Sequence, residues 1–518
     1  MMRASDLPLY YNAVQILEHN LPVRANKVAL VTPQREFTFQ QMAEQVNQVG
    51  NALKRLDVRF GESVAILNLD NAEWVAAYFA IMKIGAVAVG MNTLLKPHEH
   101  AYILNDCKAR VAIVHASLLP AIDAVREQLP FLKYVVVVGG KGREGDLAYD
   151  EWIANESKEL NCAPTQRDDF CALNYSSGTT GEPKGILHAH KDLPITAQLW
   201  AVNVLGMEES DRTFATAKLF FTFGTGGNLV FPWYVGASCV LMEAPPRIVT
   251  NVLDMIQRAK PTIHFNAPTG YAAILANEDF LQSKYDLSSL RICVSAGESL
   301  PAPVWQAWKD KTGLDIIDGI GCTEVWHIFI SNRPGDIRPG SSGKPVPGMD
   351  VKIVDENGSP VPQGEVGNLL VKSETTALFY LHQSEKSRRT FQGEWLVTGD
   401  KYFVDEDGYY WHAGRSDDML KVGGIFVSPV EVESTLLSHP AVLECAVVGY
   451  ADAMNLIKPK AFVVLKQGYT ADDALKQEII AYCREQMAEY KRPRWIEFVT
   501  DLPKTATGKI QRFKLREG

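Results

Sequence analysis

Hydrophobic and polar residues alternate along the first 300 positions in two rhythms. Short apolar runs such as Ser63 to Leu67 and Tyr134 to Val138 have the length and composition of buried strands. Other stretches repeat apolar residues every three or four positions, as in a helix that buries one face. The first of these follows the capping box of Thr38 and Gln41, and Asn71 is placed to cap a second helix. Strands that alternate with helices predict a mostly parallel sheet covered on both faces.

Further strands are predicted by the same rhythm. They cover Lys27 to Val31, Ala86 to Val89, Arg110 to Val114, Phe170 to Tyr175, Ser238 to Met242 and Arg291 to Ala296. The most hydrophobic window, Ala72 to Met91, contains Glu73 and Lys83 and is interrupted by two glycines. It predicts a buried helix followed by a strand instead of a membrane span, so we expect no membrane partner.

The pattern changes near residue 345, where short strands and turns replace the alternation. Strands are predicted there at Val351 to Val354, Gly367 to Val371 and Tyr409 to His412. The last hundred residues carry their own strands and helices. These are Pro429 to Leu437, Glu444 to Val448, Lys460 to Leu465, Asp473 to Met487 and Trp495 to Val499. We predict an α/β protein with a large N-terminal domain over 1–416, β-rich from about 345, and a small mobile α+β lid over 417–518.

Composition and charge exclude several classes of function. The formal net charge of −9 argues against nonspecific nucleic-acid binding, which needs a basic face. The eight cysteines are scattered with no C-x-x-C spacing, so neither a metal cluster nor a disulfide framework is expected. Residues 1–11 lack the long apolar core of a secretory signal. A cytoplasmic protein is the expectation.

One stretch concentrates the residue types that bind phosphate. Three glycines, four hydroxyl side chains and one lysine lie between Tyr175 and Ile186. Glycine allows the backbone to approach a ligand, and successive N–H groups then form an anion-binding concavity. We predict a loop that holds a polyphosphate. Its candidate residues are Ser176, Ser177, Gly178, Thr179, Thr180, Gly181 and Lys184.

The P-loop of the NTPases does not fit this stretch. Pro183 stands where that pattern has its second glycine, and Gly185 follows the lysine where a Ser or Thr would bind magnesium. The string instead resembles the signature of the adenylate-forming superfamily, which includes acyl-CoA synthetases, adenylation domains and luciferases.

Two further segments follow predicted strands, where open α/β sheets bind ligands. They run from Ser295 to Pro301 and from Asp318 to Glu324, and they resemble the superfamily's adenine-binding turn and its Y-G-x-T-E motif. The resemblance implies that Thr323 contacts the α-phosphate and that Glu324 holds Mg²⁺. The usual Tyr is replaced by Asp318 or Gly319, depending on the alignment. The implied ATP contacts are Ala296, Gly297, Glu298, Asp318, Gly319 and Ile320.

A carboxylate and an arginine come next along the chain. Asp400 follows a Thr-Gly pair, and a carboxylate in that position can accept both ribose hydroxyls. The segment from Gly414 to Gly424 resembles the family's segment in which an arginine contacts the ribose and an aspartate forms the hinge. The resemblance implies these roles for Arg415 and Asp417. By the same resemblance Gly423 and Gly424 line the tunnel for coenzyme A.

The C-terminal string from Leu502 to Arg512 contains P-K-T-x-T-G-K. In the superfamily its last lysine reaches from the lid to the substrate carboxylate and the α-phosphate, and Lys509 is that residue here. Five motifs over residues 175–512 together with the N-terminal pattern extend the resemblance to nearly the whole chain. It implies ATP, Mg²⁺ and coenzyme A as cosubstrates, and an acyl-adenylate that is converted to a thioester.

Two segments that contain aromatic residues indicate the class of acid substrate. Lys218 to Gly226 and Gly321 to Phe329 resemble the acid-binding segments of benzoate–CoA ligases. Small glycines beside aromatic walls suit a flat ring, and His327 and Thr222 can hydrogen-bond to a ring substituent. The resemblance implies a benzoate or a substituted benzoate, with 2-aminobenzoate or a hydroxybenzoate as candidates. The implied acid-binding residues are Phe221, Thr222, Phe223, Gly226, Ala296, Gly321, His327 and Ile328.

Other functions share some of these patterns. An adenylation enzyme that loads a carrier protein would have every ATP motif, and a ligase for another small carboxylic acid would differ only in the pocket. A luciferase-type oxygenase is disfavoured because nothing in the sequence indicates oxygen chemistry. A homodimer is left open by the sequence.

Overall fold

The computed structural model describes residues 2–178, 181–415, 418–422, 425–452, 456–504 and 510–516; at positions 177, 178, 181, 182, 421, 425 and 426 it describes the backbone alone. Two large sheets dominate the N-terminal part. The first has seven strands, of which six are parallel and one edge strand is antiparallel. In sheet order they are Leu147–Ala148, Tyr134–Val138, Val111–His115, Ser63–Leu67, Val87–Gly90, Phe170–Gly178 and Gly181–Ala189.

The second sheet has nine strands and is parallel through its middle. In order they are Lys344–Pro345, Ile328–Ser331, Ile316–Gly321, Ile292–Ser295, Ile263–Asn266, Arg212–Ala215, Ser238–Val240, Val28–Val31 and Glu36–Thr38. Its central strands are buried on both faces, and besides their apolar residues they bury the polar side chains of His264, Asn266 and Ser295.

Two long helices pack between these sheets and begin at the predicted caps. In Phe39–Arg55 the Thr38 hydroxyl accepts the N–H of Gln41, whose side chain accepts the N–H of Thr38. Ala72–Lys83 begins where the Asn71 side chain accepts the N–H of Trp74. The other helices of eight or more residues are Pro97–Asp106, Val249–Ala259, Pro268–Leu275, Ala302–Thr312, Pro429–Leu437 and Asp473–Gln486. No helix in the described ranges is long and apolar enough to cross a membrane.

The β-rich and C-terminal parts follow the predicted order. A five-stranded sheet is built from Asp350–Val354, Gly367–Lys372, Phe391–Gln392, Trp395–Val404 and Tyr410–Arg415. The C-terminal part has a two-stranded sheet of Leu420–Val422 and Ile425–Val427, and a three-stranded sheet of Val442–Ala451, Ile457–Leu465 and Trp495–Phe498. A separate hydrophobic core lies under these strands and their two helices. The predicted α/β class, with a large N-terminal and a small C-terminal domain, is confirmed.

Two predicted turns are extended strands in the structure. The glycine-rich stretch forms a hairpin, in which Phe170–Gly178 pairs antiparallel with Gly181–Ala189. Gly185 permits this pairing because a Cβ there would lie 3.1 Å from the ring of Tyr175. The second predicted turn, from Asp318 onward, belongs to the strand Ile316–Gly321, which pairs with Ile328–Ser331. In both segments glycine allows close packing of neighbouring strands, and the sequence pattern did not distinguish this from a loop.

Candidate active site

The acidic centre of the site lies on a single turn of 3-10 helix, Thr323–Val325, which follows the strand Ile316–Gly321. Glu324 accepts a hydrogen bond from the Tyr380 hydroxyl at 2.7 Å, and Lys184 Nζ lies 3.3 Å from the same carboxylate oxygen. Burial opposes ionisation of Glu324, but Lys184 and Tyr380 hold its pKa below the usual value. The structure thus brings Lys184, which is predicted to bind phosphate, into contact with Glu324, which is predicted to bind magnesium.

Tyr380 was not predicted from the sequence. It lies 56 positions after Glu324, and it reaches the site because residues 380 and 381 run beside the glycine-rich hairpin. The N–H of Leu381 donates to the carbonyl of Gly185 at 2.8 Å. Lys184 Nζ also lies 4.7 Å from the centre of the Tyr380 ring, which adds a cation–π contact.

A buried histidine hydrogen-bonds to the backbone of the turn Thr323–Val325, and this residue was not predicted from the sequence. His188 Nε2 lies 2.7 Å from the carbonyl oxygen of Thr323, so this nitrogen is the donor. His188 Nδ1 lies 2.9 Å from Asp192, which also accepts the N–H of Ala189. Both side chains of the pair are buried. The pair thereby connects the glycine-rich hairpin to the Thr323 backbone, and their spacing of four residues is the one local signal for it.

The predicted adenine-binding turn follows the strand Ile292–Ser295, which pairs with the strand Ile316–Gly321. Gly297 has φ +100°, a conformation that strains any residue with a side chain. Asp318 is buried and accepts the N–H of Leu300 at 3.5 Å, and its other carboxyl oxygen has no hydrogen-bond partner in the described part of the chain. Glu298 accepts the N–H of Ile510 at 3.0 Å, which brings the C-terminal segment to this turn.

Burial raises the pKa of Asp318 to about 8. Between the ordinary carboxyl value and pH 8 the folded protein holds a proton that the unfolded chain has lost, so stability falls as pH rises through this window. The contribution is about 1.4 kcal/mol per pH unit for one proton. We expect Asp318→Asn, which keeps the neutral shape, to gain stability over the parent between pH 5 and pH 8. Melting temperatures of both ligand-free proteins measure this difference, and a gap that stays constant with pH would refute the assignment.

The predicted ribose carboxylate is paired with the predicted arginine. Asp400 and Arg415 face each other across two strands, with Nη1 of the arginine 3.1 Å from Oδ1 of the carboxylate. His412 Nε2 lies 3.6 Å from the same oxygen. Burial opposes ionisation of Asp400, but Arg415 and His412 lower its pKa below the usual value. Gly399, at φ +78°, leaves space for the guanidinium, since a Cβ there would lie 2.9 Å from Nη2.

The predicted acid pocket is a cluster of aromatic rings around His327. Four rings have their centres between 4.6 and 6.1 Å from the imidazole, namely Trp200, Phe223, Phe231 and Trp326. His327 is 3 % exposed, and neither of its ring nitrogens has a hydrogen-bond partner among the described residues. Burial lowers its pKa to about 3, against a smaller contribution from the Phe223 backbone, so the imidazole is neutral at physiological pH.

The walls of this cluster depend on glycine and on irregular helices. A Cβ on Gly226 would lie 2.6 Å from the His327 ring, and one on Gly321 would lie 2.5 Å from its carbonyl oxygen. Trp200 and Gly226 both lie in π-helical segments, Ala197–Val202 and Gly226–Val230. Such segments are rare and occur often at functional sites.

The remaining predicted acid-binding residues lie along the same cluster. Phe221 precedes the short helix Thr222–Thr225, and Thr225 Oγ1 donates to its carbonyl at 3.1 Å. Ile328 begins the strand Ile328–Ser331, Ala296 follows the strand Ile292–Ser295 two places away in the sheet, and both residues are buried. The predicted residues Thr179, Thr180, Asp417, Gly423, Gly424 and Lys509 lie outside the described residues, and for Ser177, Gly178 and Gly181 only the backbone is described.

Two models of known protein families match most of the chain. The model of the AMP-binding enzyme family matches residues 17–381, and that of the AMP-binding enzyme C-terminal domain matches residues 431–509. The chain belongs to the AMP-binding enzyme family. The predicted membership of the adenylate-forming superfamily is thereby confirmed.

Similar members of this AMP-binding family include enzymes with aromatic substrates. The chain is 46 % identical to the benzoate–CoA ligase of Thauera aromatica, over 99 % of this chain and 97 % of that one. It is 68 % identical to the anthranilate CoA ligase AuaEII, solved with anthranoyl-AMP, with a TM-score of 0.98 over 100 % and 98 % of the two chains. A benzoate CoA ligase from Burkholderia xenovorans LB400 is 39 % identical, with a TM-score of 0.90 over 98 % and 100 %.

Proposed function

We propose that the protein is an AMP-forming aryl-acid–CoA ligase whose substrate is 2-aminobenzoate. The observation that carries this proposal is the 68 % identity, over the whole chain, to an anthranilate CoA ligase solved with its acyl-adenylate. The 46 % identity to a benzoate–CoA ligase supports the same class of acid. All eight cysteines are free thiols, which favours the cytoplasm as its location.

The first half-reaction joins the acid to AMP. A carboxylate oxygen of 2-aminobenzoate attacks the α-phosphorus of ATP, the bond from that phosphorus to the bridging oxygen breaks, and pyrophosphate leaves. Two anions meet in this step, so positive charge near the α-phosphate lowers the barrier. We assign Lys184, which lies beside Glu324, to the phosphates and Lys509 to the carboxylate. His188 holds the carbonyl of Thr323 and thereby fixes the backbone of this turn.

The site suits magnesium held mainly by the nucleotide. Mg²⁺ in such sites takes one or two carboxylates together with substrate phosphates. The described residues contain no group of three or more acidic, His or Cys side chains able to hold a metal ion, whereas Glu324 is a single, partly exposed carboxylate with a lowered pKa. We therefore assign Glu324 as the protein ligand of Mg²⁺, which when bound offsets phosphate charge.

The adenosine half of ATP is assigned to the neighbouring polar groups. The buried Asp318 and the turn at Gly297 border the adenine, and Asp400 with Arg415 binds the ribose. In the second half-reaction the thiol of coenzyme A attacks the acyl carbon and AMP leaves. We assign Asp417 as the hinge of the C-terminal domain for this step, and Gly423 with Gly424 to the CoA tunnel.

His327 is proposed to recognise the 2-amino group. It is neutral and buried, and its ring nitrogens have no partner among the described residues, so one of them can accept an amine hydrogen from the substrate. A buried site built for a hydrogen bond discriminates strongly against an analogue that lacks the matching group. The surrounding rings contribute flat apolar surface that does not distinguish benzoate from 2-aminobenzoate.

Two substitutions separate these contributions. We expect His327→Leu to lower kcat/KM for 2-aminobenzoate about 10- to 100-fold, the value of one lost buried hydrogen bond, while benzoate changes by less than about threefold. Phe223→Ala is the matched control. It removes apolar wall area worth roughly 1–3 kcal/mol, so it should raise KM for both acids about 10- to 100-fold and admit bulkier para-substituted rings. Equal losses for both acids in His327→Leu would contradict the assignment.

The proposal is tested with a panel of acids at fixed ATP and coenzyme A. The panel comprises 2-aminobenzoate, benzoate, the three hydroxybenzoates and hexanoate, with the thioester identified by mass. We expect 2-aminobenzoate to have the highest kcat/KM and hexanoate to be a poor substrate. A hydroxybenzoate or hexanoate in first place would refute the acid assignment, and AMP release without a CoA thioester would indicate a carrier protein as acceptor.

A further inference from the structure

A second lysine approaches the phosphate-binding residues, and it belongs to none of the sequence motifs. Lys386 lies on the short helix Ser384–Thr390 and is half-buried. Its Nζ is 5.9 Å from the centre of the Tyr380 ring, the same ring that Lys184 Nζ contacts at 4.7 Å. Two ammonium groups and the Glu324 carboxylate therefore surround one tyrosine.

This cluster contains more positive than negative charge. Glu324 is paired with Lys184 and hydrogen-bonded by Tyr380, whereas Lys386 forms no ion pair with any described carboxylate. The adjacent acid on its helix, Glu385, pairs with Arg389 on the solvent side. Partial burial and the charge of Lys184 lower the pKa of Lys386, and the charge of Glu324 opposes this effect. A bound anion would remove this electrostatic cost.

The helix is held in place by the residues that support the hairpin. The N–H of Tyr380 donates to Ser387 Oγ at 2.9 Å, and Ser387 in turn donates to the carbonyl of Gln383 at 2.7 Å. Tyr380 and Leu381 pair with the strand that carries Lys184. These hydrogen bonds fix the helix that carries Lys386 relative to the glycine-rich hairpin, so the backbone position of Lys386 is set by the fold.

We infer that Lys386 is a second phosphate-binding lysine, which contacts the β- and γ-phosphates of ATP and the pyrophosphate that leaves. This inference rests on the proposed function, because it assigns Lys386 to the leaving group of the first half-reaction. Pyrophosphate departs with the negative charge of the broken bond, and a lysine without a carboxylate partner can take up that charge at no cost in broken ion pairs. The acyl-adenylate and coenzyme A do not include these phosphates, so the second half-reaction does not use Lys386.

The test is the affinity for magnesium pyrophosphate, measured calorimetrically with the parent protein and three variants. We expect Lys386→Ala to weaken binding about tenfold or more, and Lys386→Arg to stay within about threefold of the parent. Arg388→Ala is the matched control, because it removes a positive charge from an exposed position on the same helix and should leave the affinity unchanged. An affinity that Lys386→Ala does not change, or that Arg388→Ala lowers equally, would overturn the inference.

Kinetics separate this inference from the proposed function. In the presence of 2-aminobenzoate, ATP–pyrophosphate exchange by Lys386→Ala should need about tenfold more pyrophosphate for half-maximal rate. Thioester formation from preformed 2-aminobenzoyl-adenylate should stay within twofold of the parent. If the parent catalyses no exchange with any aromatic acid, the proposed function fails, while the calorimetric result still decides the role of Lys386.

Discussion

Lys509→Ala should lower the rate of adenylate formation about 100- to 1000-fold and leave the second half-reaction nearly intact. The lysine is proposed to offset charge as the carboxylate meets the α-phosphate, and a preorganised group of this kind contributes on the order of 100- to 1000-fold or more. Once the acyl-adenylate exists, that charge has been neutralised. Single-turnover adenylation and thioester formation from preformed 2-aminobenzoyl-adenylate measure the two steps separately.

The control is another lysine of the same segment. Lys504 pairs with Glu444 at 2.6 Å and lies near Asp501, so its charge is used within the C-terminal domain. Lys504→Ala should leave both half-reactions within about threefold of the parent. Equal loss of both steps in Lys509→Ala would show that the lysine is not confined to adenylation.

Glu324→Gln should lower adenylation about 100- to 1000-fold and raise the magnesium concentration needed for half-maximal rate. The amide keeps the shape but removes the charge that balances Lys184 and that is proposed to hold Mg²⁺. Thioester formation from the preformed adenylate should stay within about threefold. Stopped-flow measurement of adenylation at several magnesium concentrations gives the adenylation rate and the magnesium concentration for half-maximal rate.

Tyr380→Phe is the control for Glu324→Gln. It removes one hydrogen bond to the same oxygen and keeps the carboxylate charge, so a loss of about tenfold or less is expected. If the two variants lost activity equally, with no change in magnesium requirement, the charge of Glu324 would not be the important property.

Local signals were enough to predict most elements of the fold. The capping box at Thr38 and the cap at Asn71 form as predicted, and the helix Pro429–Leu437 has the predicted ends. Such features depend on residues within about four positions of one another, so a single sequence contains them. The glycine-rich hairpin was missed because its strands are recognised by their pairing, and glycine is equally common in loops.

The site was predicted only where its residues belong to a motif. Lys184 and Glu324 were proposed from separate motifs, and the structure brings them within 3.3 Å. Tyr380, His188 and Asp192 were missed. Tyr380 reaches Glu324 because residues 380 and 381 pair with the strand at Gly185 and Ile186, which no local pattern indicates. His188 and Asp192 have helical spacing, but the acceptor that gives the pair its use, the carbonyl of Thr323, is 135 residues away.

The most direct test of the central claim follows the oxygen atoms of the acid. With 2-aminobenzoate labelled by ¹⁸O at both carboxyl oxygens, ATP and coenzyme A, the attacking oxygen becomes part of the adenylate phosphate. Each turnover should therefore produce AMP with one ¹⁸O and a 2-aminobenzoyl thioester with the other, both measured by mass spectrometry. Unlabelled AMP, or ¹⁸O recovered in inorganic phosphate with ADP as product, would contradict ligation through an acyl-adenylate.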